Sequence, residues 1–342
     1  MSDVPALQPA AAPEGPTCFG VYRAVERIAE GGMGIIFRAQ DMRGGPPVAI
    51  KTVRTSREAD AIAIQREIVT LSRVRHPGIV RLRGYGVQRS GPWMALEFLD
   101  GRTLDHEMSR YWPDTTTGAG EGRLPSDERP TAPVRAPQIR SAGMRPLFPV
   151  AGGGHLPEVF SIVQKLCLAL EHLHGSGIVH RDVKPANVFL GRDGRTTLID
   201  FGLACAASPT APMEGGAICV GTLEYAAPEQ ICGGPLDQRA DIYSLGCLLY
   251  ELVTGQVPFR GRSMSEIAER QIKREAIAPS QLMTDVPADL DELILSMLAK
   301  APAQRPSGAA EIGWRLARIE RRRQGPPPLG TAQLRSAMRS QL

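Results

Sequence analysis

The sequence predicts an α+β protein of two lobes, a small antiparallel β-sheet carrying one main helix and then a larger, mainly α lobe. Three observations carry this. Between Tyr22 and Glu97 the apolar residues fall in short β-rich runs parted by Gly or Pro turns. Within that region Ile64, Ile68 and Leu71 recur at spacings of four and three between Arg57 and Arg73, the mark of one helical face. In the second half of the chain, helical spacing dominates.

Taken in order, residues 1–18 are rich in Ala and Pro, with too few large apolar groups to repay the entropy of ordering, and read as a disordered leader. The runs Tyr22–Ile28, Ile35–Ala39, Val48–Val53, Ile79–Leu82 and Trp93–Glu97 supply the sheet. This small lobe covers about 19–100 and the large lobe about 101–322. Residues 109–153 turn to Pro, Gly, Arg and Thr without a period, an insert longer than compact domains usually tolerate. It reads either as a tolerated surface expansion or, through its arginines, as a docking segment. Beyond it Val163, Leu166, Leu170 and Leu173 share one helical stripe, and helices are legible at Asp241–Thr254, Ser263–Arg274 and Asp289–Ala299. The tail 323–342 is flexible, with Pro326–Pro328 stopping the preceding helix, whose last arginines suit a helix C-terminus.

Composition narrows the class. With 342 residues, 42% apolar and 22% charged, the chain can bury a core, and a net charge of +4 gives no electrostatic case for nucleic acid. Six scattered cysteines lack zinc spacing and read as reduced thiols of a cytosolic protein. The apolar run Ile242–Val253 is too short to span a bilayer, and the N-terminus has no signal-peptide pattern. No membrane span and a cytoplasmic location are therefore expected.

Chemistry concentrates in a few motifs. Ile28-Ala29-Glu30-Gly31-Gly32-Met33-Gly34-Ile35-Ile36 lies in a strand–turn–strand setting, where small residues let backbone amides close over phosphates. In Val48-Ala49-Ile50-Lys51 an ammonium stands in an apolar strand and needs an anion; Glu67, among Ile64, Ile68 and Leu71, is its natural partner. The most specific stretch is His180-Arg181-Asp182-Val183-Lys184-Pro185-Ala186-Asn187, followed by Asp200-Phe201-Gly202 and Ala227-Pro228-Glu229. His172 and His174 have the look of metal ligands, but on a helix they point in different directions.

Over about Phe19 to Arg322 these motifs resemble the protein kinase superfamily, specifically the eukaryotic-like Ser/Thr kinases of bacteria, whose Gly-rich loops commonly read Gly-Gly-Met-Gly. The resemblance implies a two-lobed protein kinase fold and transfer of the γ-phosphoryl of Mg-ATP to protein Ser/Thr hydroxyls, the chain's own included. It assigns Asp182 to the acceptor proton, Lys184 to the migrating phosphoryl, and Asn187 and Asp200 to Mg²⁺, with Mn²⁺ as an alternative ion. By the same resemblance Lys51, tied by Glu67, is expected to grip the α/β-phosphates of ATP. Ile36 and Ala49 match the family's adenine roof, Phe189 its floor, Leu96 its gatekeeper, and Glu97 to Leu99 its hinge. Phe201, His180 and Leu71 match a stack that aligns the lobes. Asp241 resembles the residue that anchors the catalytic loop and Arg305 the arginine that pairs with Glu229, while Thr222 matches a threonine of Ser/Thr kinases and so disfavours tyrosine specificity. Homodimers through the small lobe occur in the family. Many relatives continue into a membrane span where this sequence ends, which sets the expectation of a soluble enzyme.

The pattern departs at two places. Ala29 stands where the family prefers glycine, which implies weaker nucleotide affinity at most. The segment from Leu203 to Ala226 has few hydroxyls, Ser208, Thr210 and Thr222, and Glu214 stands where a phosphorylated threonine is frequent. Glu214 either substitutes in part for that phosphate beside Arg181 or is a solvated loop residue. The full set of catalytic positions disfavours a pseudokinase scaffold, and Asp200-Phe201-Gly202 with Ala227-Pro228-Glu229 disfavours a small-molecule kinase.

Overall fold

The computed structural model describes residues 17–31, 34–53, 58–89, 91–111, 155–206 and 223–324. Gly32, Met33, most of the insert, and Ser208, Thr210, Glu214 and Thr222 lie outside them.

The small lobe is an antiparallel sheet of β1 (Cys18–Phe19), β2 (Tyr22–Gly31), β3 (Gly34–Asp41), β4 (Val48–Thr52), β5 (Leu82–Gln88) and β6 (Gly91–Glu97). Their order is β1-β2-β3-β4-β6-β5. Strand alternation sorts its residues between two faces. Phe19, Tyr22, Ile50, Trp93 and Ala95 make a compact core, with Phe19 and Tyr22 set edge-on to Trp93 at 6.0 and 6.1 Å. The opposite face carries Lys51. The β2–β3 turn closes tightly at Gly34, where φ is 155° and a Cβ would come within 2.0 Å of the Thr52 carbonyl oxygen, so only glycine fits. Helix α1 (Glu58–Arg73) packs on the sheet with Ile64, Glu67 and Leu71 buried, one residue per turn of the same face.

Chain direction changes after Glu97 into β7 (Gly101–Thr103) and α2 (Leu104–Tyr111), then α3 (Leu156–Gly175) and β8 (Ile178–Val179). β9 (Val188–Gly191) and β10 (Thr196–Leu198) form a small sheet with β7, and β11 (Cys205–Ala206) pairs with β8. The rest is helical, with α4 (Pro228–Ile231), α5 (Arg239–Thr254), α6 (Met264–Lys273), α7 (Ala288–Met297) and α8 (Ala309–Gln324). Helix α5 is buried on nearly every side from Ala240 to Thr254, which explains its apolar composition all round. Gly255 ends it in the left-handed conformation at φ 73°. The α+β, two-lobed reading stands.

Two boundaries need correction. The expected strand Ile79–Leu82 is displaced: Ile79 bridges to Leu198 of the large lobe, Val80 N–H donates to the Leu198 carbonyl at 3.0 Å, and the sheet strand starts only at Leu82. The insert, expected from 109, begins later, because Ser109–Tyr111 complete α2, which buries Met108.

Candidate active site

Cross-strand register assembles one wall of the site. Ala29 pairs with Ile36, Ile36 with Lys51, and Ala49 with Leu96, so these residues share the face of the sheet that Lys51 turns toward the large lobe. Ile28, Ile36, Ala49, Leu96, Leu99 and Phe189 are apolar yet only half-buried, whereas their chain neighbours Ile50, Ala95 and Leu190 are buried. Of these, Leu99 and Phe189 line one concave pocket together with Phe98 and Thr197. Glu97 donates its N–H to the Arg81 carbonyl at 2.8 Å, and its carboxylate receives the Arg81 N–H at 3.0 Å, which holds the segment between the lobes. Glu30 is exposed on β2 and pairs with Arg27.

At the end of that wall Lys51 Nζ stands 2.7 Å from Glu67 and 3.0 Å from Asp200, joining β4, α1 and the loop after β10. Glu67 spends its second oxygen on the Phe201 N–H at 3.1 Å. Burial works against the Lys51 charge, but Asp200 and Glu67 outweigh it and hold its pKa above the ordinary value. Burial likewise pushes Asp200 up, yet Lys51 leaves it at about 2, a carboxylate at any physiological pH. Gly202 N–H also donates to Asp200, at 3.2 Å.

The opposing loop is fastened from beneath. Asp241, fully buried at the start of α5, accepts the N–H groups of His180 and Arg181, both at 2.8 Å, and faces His174 Nε2 at 2.8 Å. These bonds hold Arg181 at φ 68°, and Asp200 shares that left-handed value. A non-glycine residue there stores strain that the surroundings must offset, and both sit beside the predicted chemistry. His180 is fully buried with its ring 4.7 Å from Phe201, which fits a structural role, and burial lowers its pKa. His172 stacks on His76 at 5.3 Å, and among the described residues no three or more His, Cys, Asp or Glu side chains gather as a metal cluster.

Asp182, Lys184 and Asn187 converge. Lys184 Nζ lies 2.8 Å from Asp182 Oδ2, and Asn187 Nδ2 donates to that oxygen at 2.8 Å and to the Asp182 carbonyl at 2.9 Å. The other carboxylate oxygen, Asp182 Oδ1, is buried without a hydrogen-bond partner among the described residues. A buried acceptor left open is costly, and a hydroxyl group would satisfy it. Because Asn187 spends its amide nitrogen on Asp182, its carbonyl oxygen is the end left to face a cation, and ionised Asp200 is a second hard oxygen donor. The residues present therefore suit a Mg²⁺–nucleotide.

The sequence reading missed several supports. Gln230 Nε2 donates to the Arg181 carbonyl at 2.9 Å, and Tyr225 donates to Glu251. Arg305, expected to pair with Glu229, does so through both terminal nitrogens at 2.6 and 2.8 Å, and also donates to the carbonyls of Ala299, Arg239 and Lys300.

Comparison with known proteins agrees with this geometry. The model of the protein kinase domain matches residues 22–126 and 145–313. The chain is 31% identical over 326 residues to the serine/threonine-protein kinase PknB of Mycobacterium leprae, covering 93% of this chain and 46% of that protein. It is 33% identical over 312 residues to a probable serine/threonine-protein kinase of Corynebacterium efficiens, covering 88% and 41%. A probable serine/threonine-protein kinase of Streptomyces coelicolor is 32% identical over 304 residues, covering 86% and 39%. The chain thus spans less than half the length of these relatives. By its motifs, its two lobes and this match, the chain belongs to the protein kinase domain family.

Proposed function

We propose that this chain is an active Ser/Thr protein kinase that moves the γ-phosphoryl of Mg-ATP to Ser or Thr hydroxyls of proteins, including copies of itself. The observation that carries the reading is the open, buried Oδ1 of Asp182 beside Lys184 and Asn187. The acceptor O–H proton passes to that oxygen while the hydroxyl oxygen bonds to the γ-phosphorus. The bond from that phosphorus to the β–γ bridging oxygen breaks, and ADP leaves. Lys184 neutralises charge on the phosphoryl in flight, and Lys51, held by Glu67, receives the α/β-phosphates.

Asn187 and Asp200 would hold Mg²⁺ or Mn²⁺, which supplies further charge neutralisation. The segment Ile28 to Ile36, with Ala29, Glu30, Gly31, Gly32, Met33 and Gly34, would cover the phosphates. Ala49, Leu96, Leu99 and Phe189 would enclose the adenine, with backbone groups from Glu97 to Leu99 as its hydrogen-bond partners. ATP dependence sets the reaction in the cytoplasm. Among the described residues no helix is long and apolar enough to cross a membrane, and Cys167, Cys232 and Cys247 are free thiols.

The test is phosphate incorporation from Mg-ATP into the chain and into casein, for wild type and Asp182→Asn, with the sites mapped by mass spectrometry. Ser/Thr phosphate that drops at least about 10²-fold in the variant is expected. A wild type that labels neither protein refutes the proposal.

A further inference from the structure

Behind the turn Leu223–Tyr225 lies a buried amide that the catalytic set does not use. Gln271 on α6 is 0% exposed. Its Nε2 donates to the carbonyls of Leu223 at 3.1 Å and Glu224 at 2.6 Å, and its Oε1 accepts from the Tyr243 hydroxyl. That hydroxyl in turn accepts from Lys300 Nζ at 3.1 Å, so its single proton is directed to Gln271, and this chain of donors fixes the amide's orientation. Lys300 is itself held 3.7 Å over the Phe259 ring. One turn earlier on the same helical face, Ile267 packs with Leu223 and Ala226. Helix α6 thus grips the turn through an apolar contact and two hydrogen bonds.

The gripped turn borders the catalytic loop. Ser244 Oγ donates to the Tyr225 carbonyl at 2.8 Å, and α4, which follows directly, gives the Gln230 amide to the Arg181 carbonyl next to Asp182. A displaced turn would therefore shift the Arg181–Asp182 stretch, the side of the site where the proposed acceptor hydroxyl meets Asp182. Lys51, Glu67 and Asp200 are held separately, through β4, α1 and the loop after β10.

Resting on the kinase reading, we infer that Gln271 is a positioning residue for the protein acceptor, setting the turn against which the acceptor chain lies. Tyr243 and Lys300 act as its backing. Both amide hydrogens are committed to carbonyls of the turn, so an apolar side chain of the same length keeps the packing and loses the hold.

Steady-state transfer from Mg-ATP to dephosphorylated casein by the full chain tests this, with Gln271→Met and Tyr243→Phe beside wild type. Gln271→Met is expected to raise KM for casein roughly tenfold while KM for ATP stays within about twofold. Tyr243→Phe, which keeps the ring and removes the hydroxyl, shifts casein KM the same way by roughly threefold, and it decides alone if Gln271→Met does not fold. An unchanged casein KM, or casein and ATP KM rising together, overturns the inference and leaves Gln271 as packing. If wild type transfers no phosphate at all, the kinase reading falls and the positioning role with it; turnover with unmoved KM values removes only the positioning role.

Discussion

The scaffold around α5 and the cleft between the lobes use the same kinds of polar group in opposite ways. In the scaffold three central groups are fully occupied, although His174 Nδ1 and Gln230 Oε1 beside them are buried without a hydrogen-bond partner among the described residues. Asp241 receives two backbone N–H groups and faces His174, Arg305 donates to a carboxylate and three carbonyls, and Gln271 uses both hydrogens and its oxygen. In the cleft, Asp182 Oδ1 is buried and open, and Lys51 is shared between two carboxylates at 2.7 and 3.0 Å. Saturated groups hold a shape, and groups with open valences await a ligand. The difference tells which substitutions act on stability and which on turnover.

The scaffold side breaks hardest. Arg305 is 5% exposed, so Arg305→Met strands the Glu229 carboxylate and three carbonyls in the interior. A loss of about 3–5 kcal/mol in urea unfolding is expected. A loss below about 1 kcal/mol would mean that the pair behaves like a surface salt bridge and that the scaffold is not the rigid partner in this comparison.

In the cleft, Lys51→Met should act the other way round. Phosphoryl transfer is expected to fall about 10²–10³-fold, the cost of one charge-stabilising donor. The unfolding midpoint should move less than in Arg305→Met. Burial already raises the Glu67 pKa, so the stranded carboxyl can take up a proton, whereas nothing can replace the donors of Arg305. Matching stability losses in the two variants would erase the distinction.

How much of this was legible follows from where each contact lies along the chain. Asp182, Lys184, Asn187 and Asp200 stand in short contiguous motifs, because a loop fixed by its own neighbours carries its signature locally. Lys51 and Glu67 were legible because a charge amid apolar neighbours asks for a partner. Strand β5 was not, since Gly84 and Gly86 occupy positions where a Cβ would meet Tyr22 at 3.0 Å and Trp93 at 2.7 Å. The side chains that would have shown alternation are excluded by aromatic rings from other strands. Gln271 left a faint trace, a polar residue four after Ile267 on an otherwise apolar face. Its partners, Leu223, Glu224 and Tyr243, are 28 to 48 residues away, and no local pattern announces them.

The smallest expected effect lies on α5 itself, at Glu251, which accepts a hydrogen bond from Tyr225. Burial raises its carboxyl to about 7, although the hydrogen bond from Tyr225 and the charge of Arg260 work against the rise, while Glu224 and Asp105 add to it. In the unfolded chain the same group titrates near its ordinary 4.5. Between those two values the folded state holds the extra proton, so stability falls as pH rises from 4.5 to 7 and the whole penalty is present above 7. Glu251→Gln keeps an acceptor for Tyr225 and removes the titration. The variant should therefore be more stable than wild type at pH 8, by on the order of 2 kcal/mol, with the advantage shrinking toward nothing at pH 4.5. Urea unfolding of both proteins across that range reads it directly. A difference that does not change with pH would show that Glu251 stays ionised in the fold, and that the Leu223–Tyr225 turn rests on a charge and not on a protonated pair.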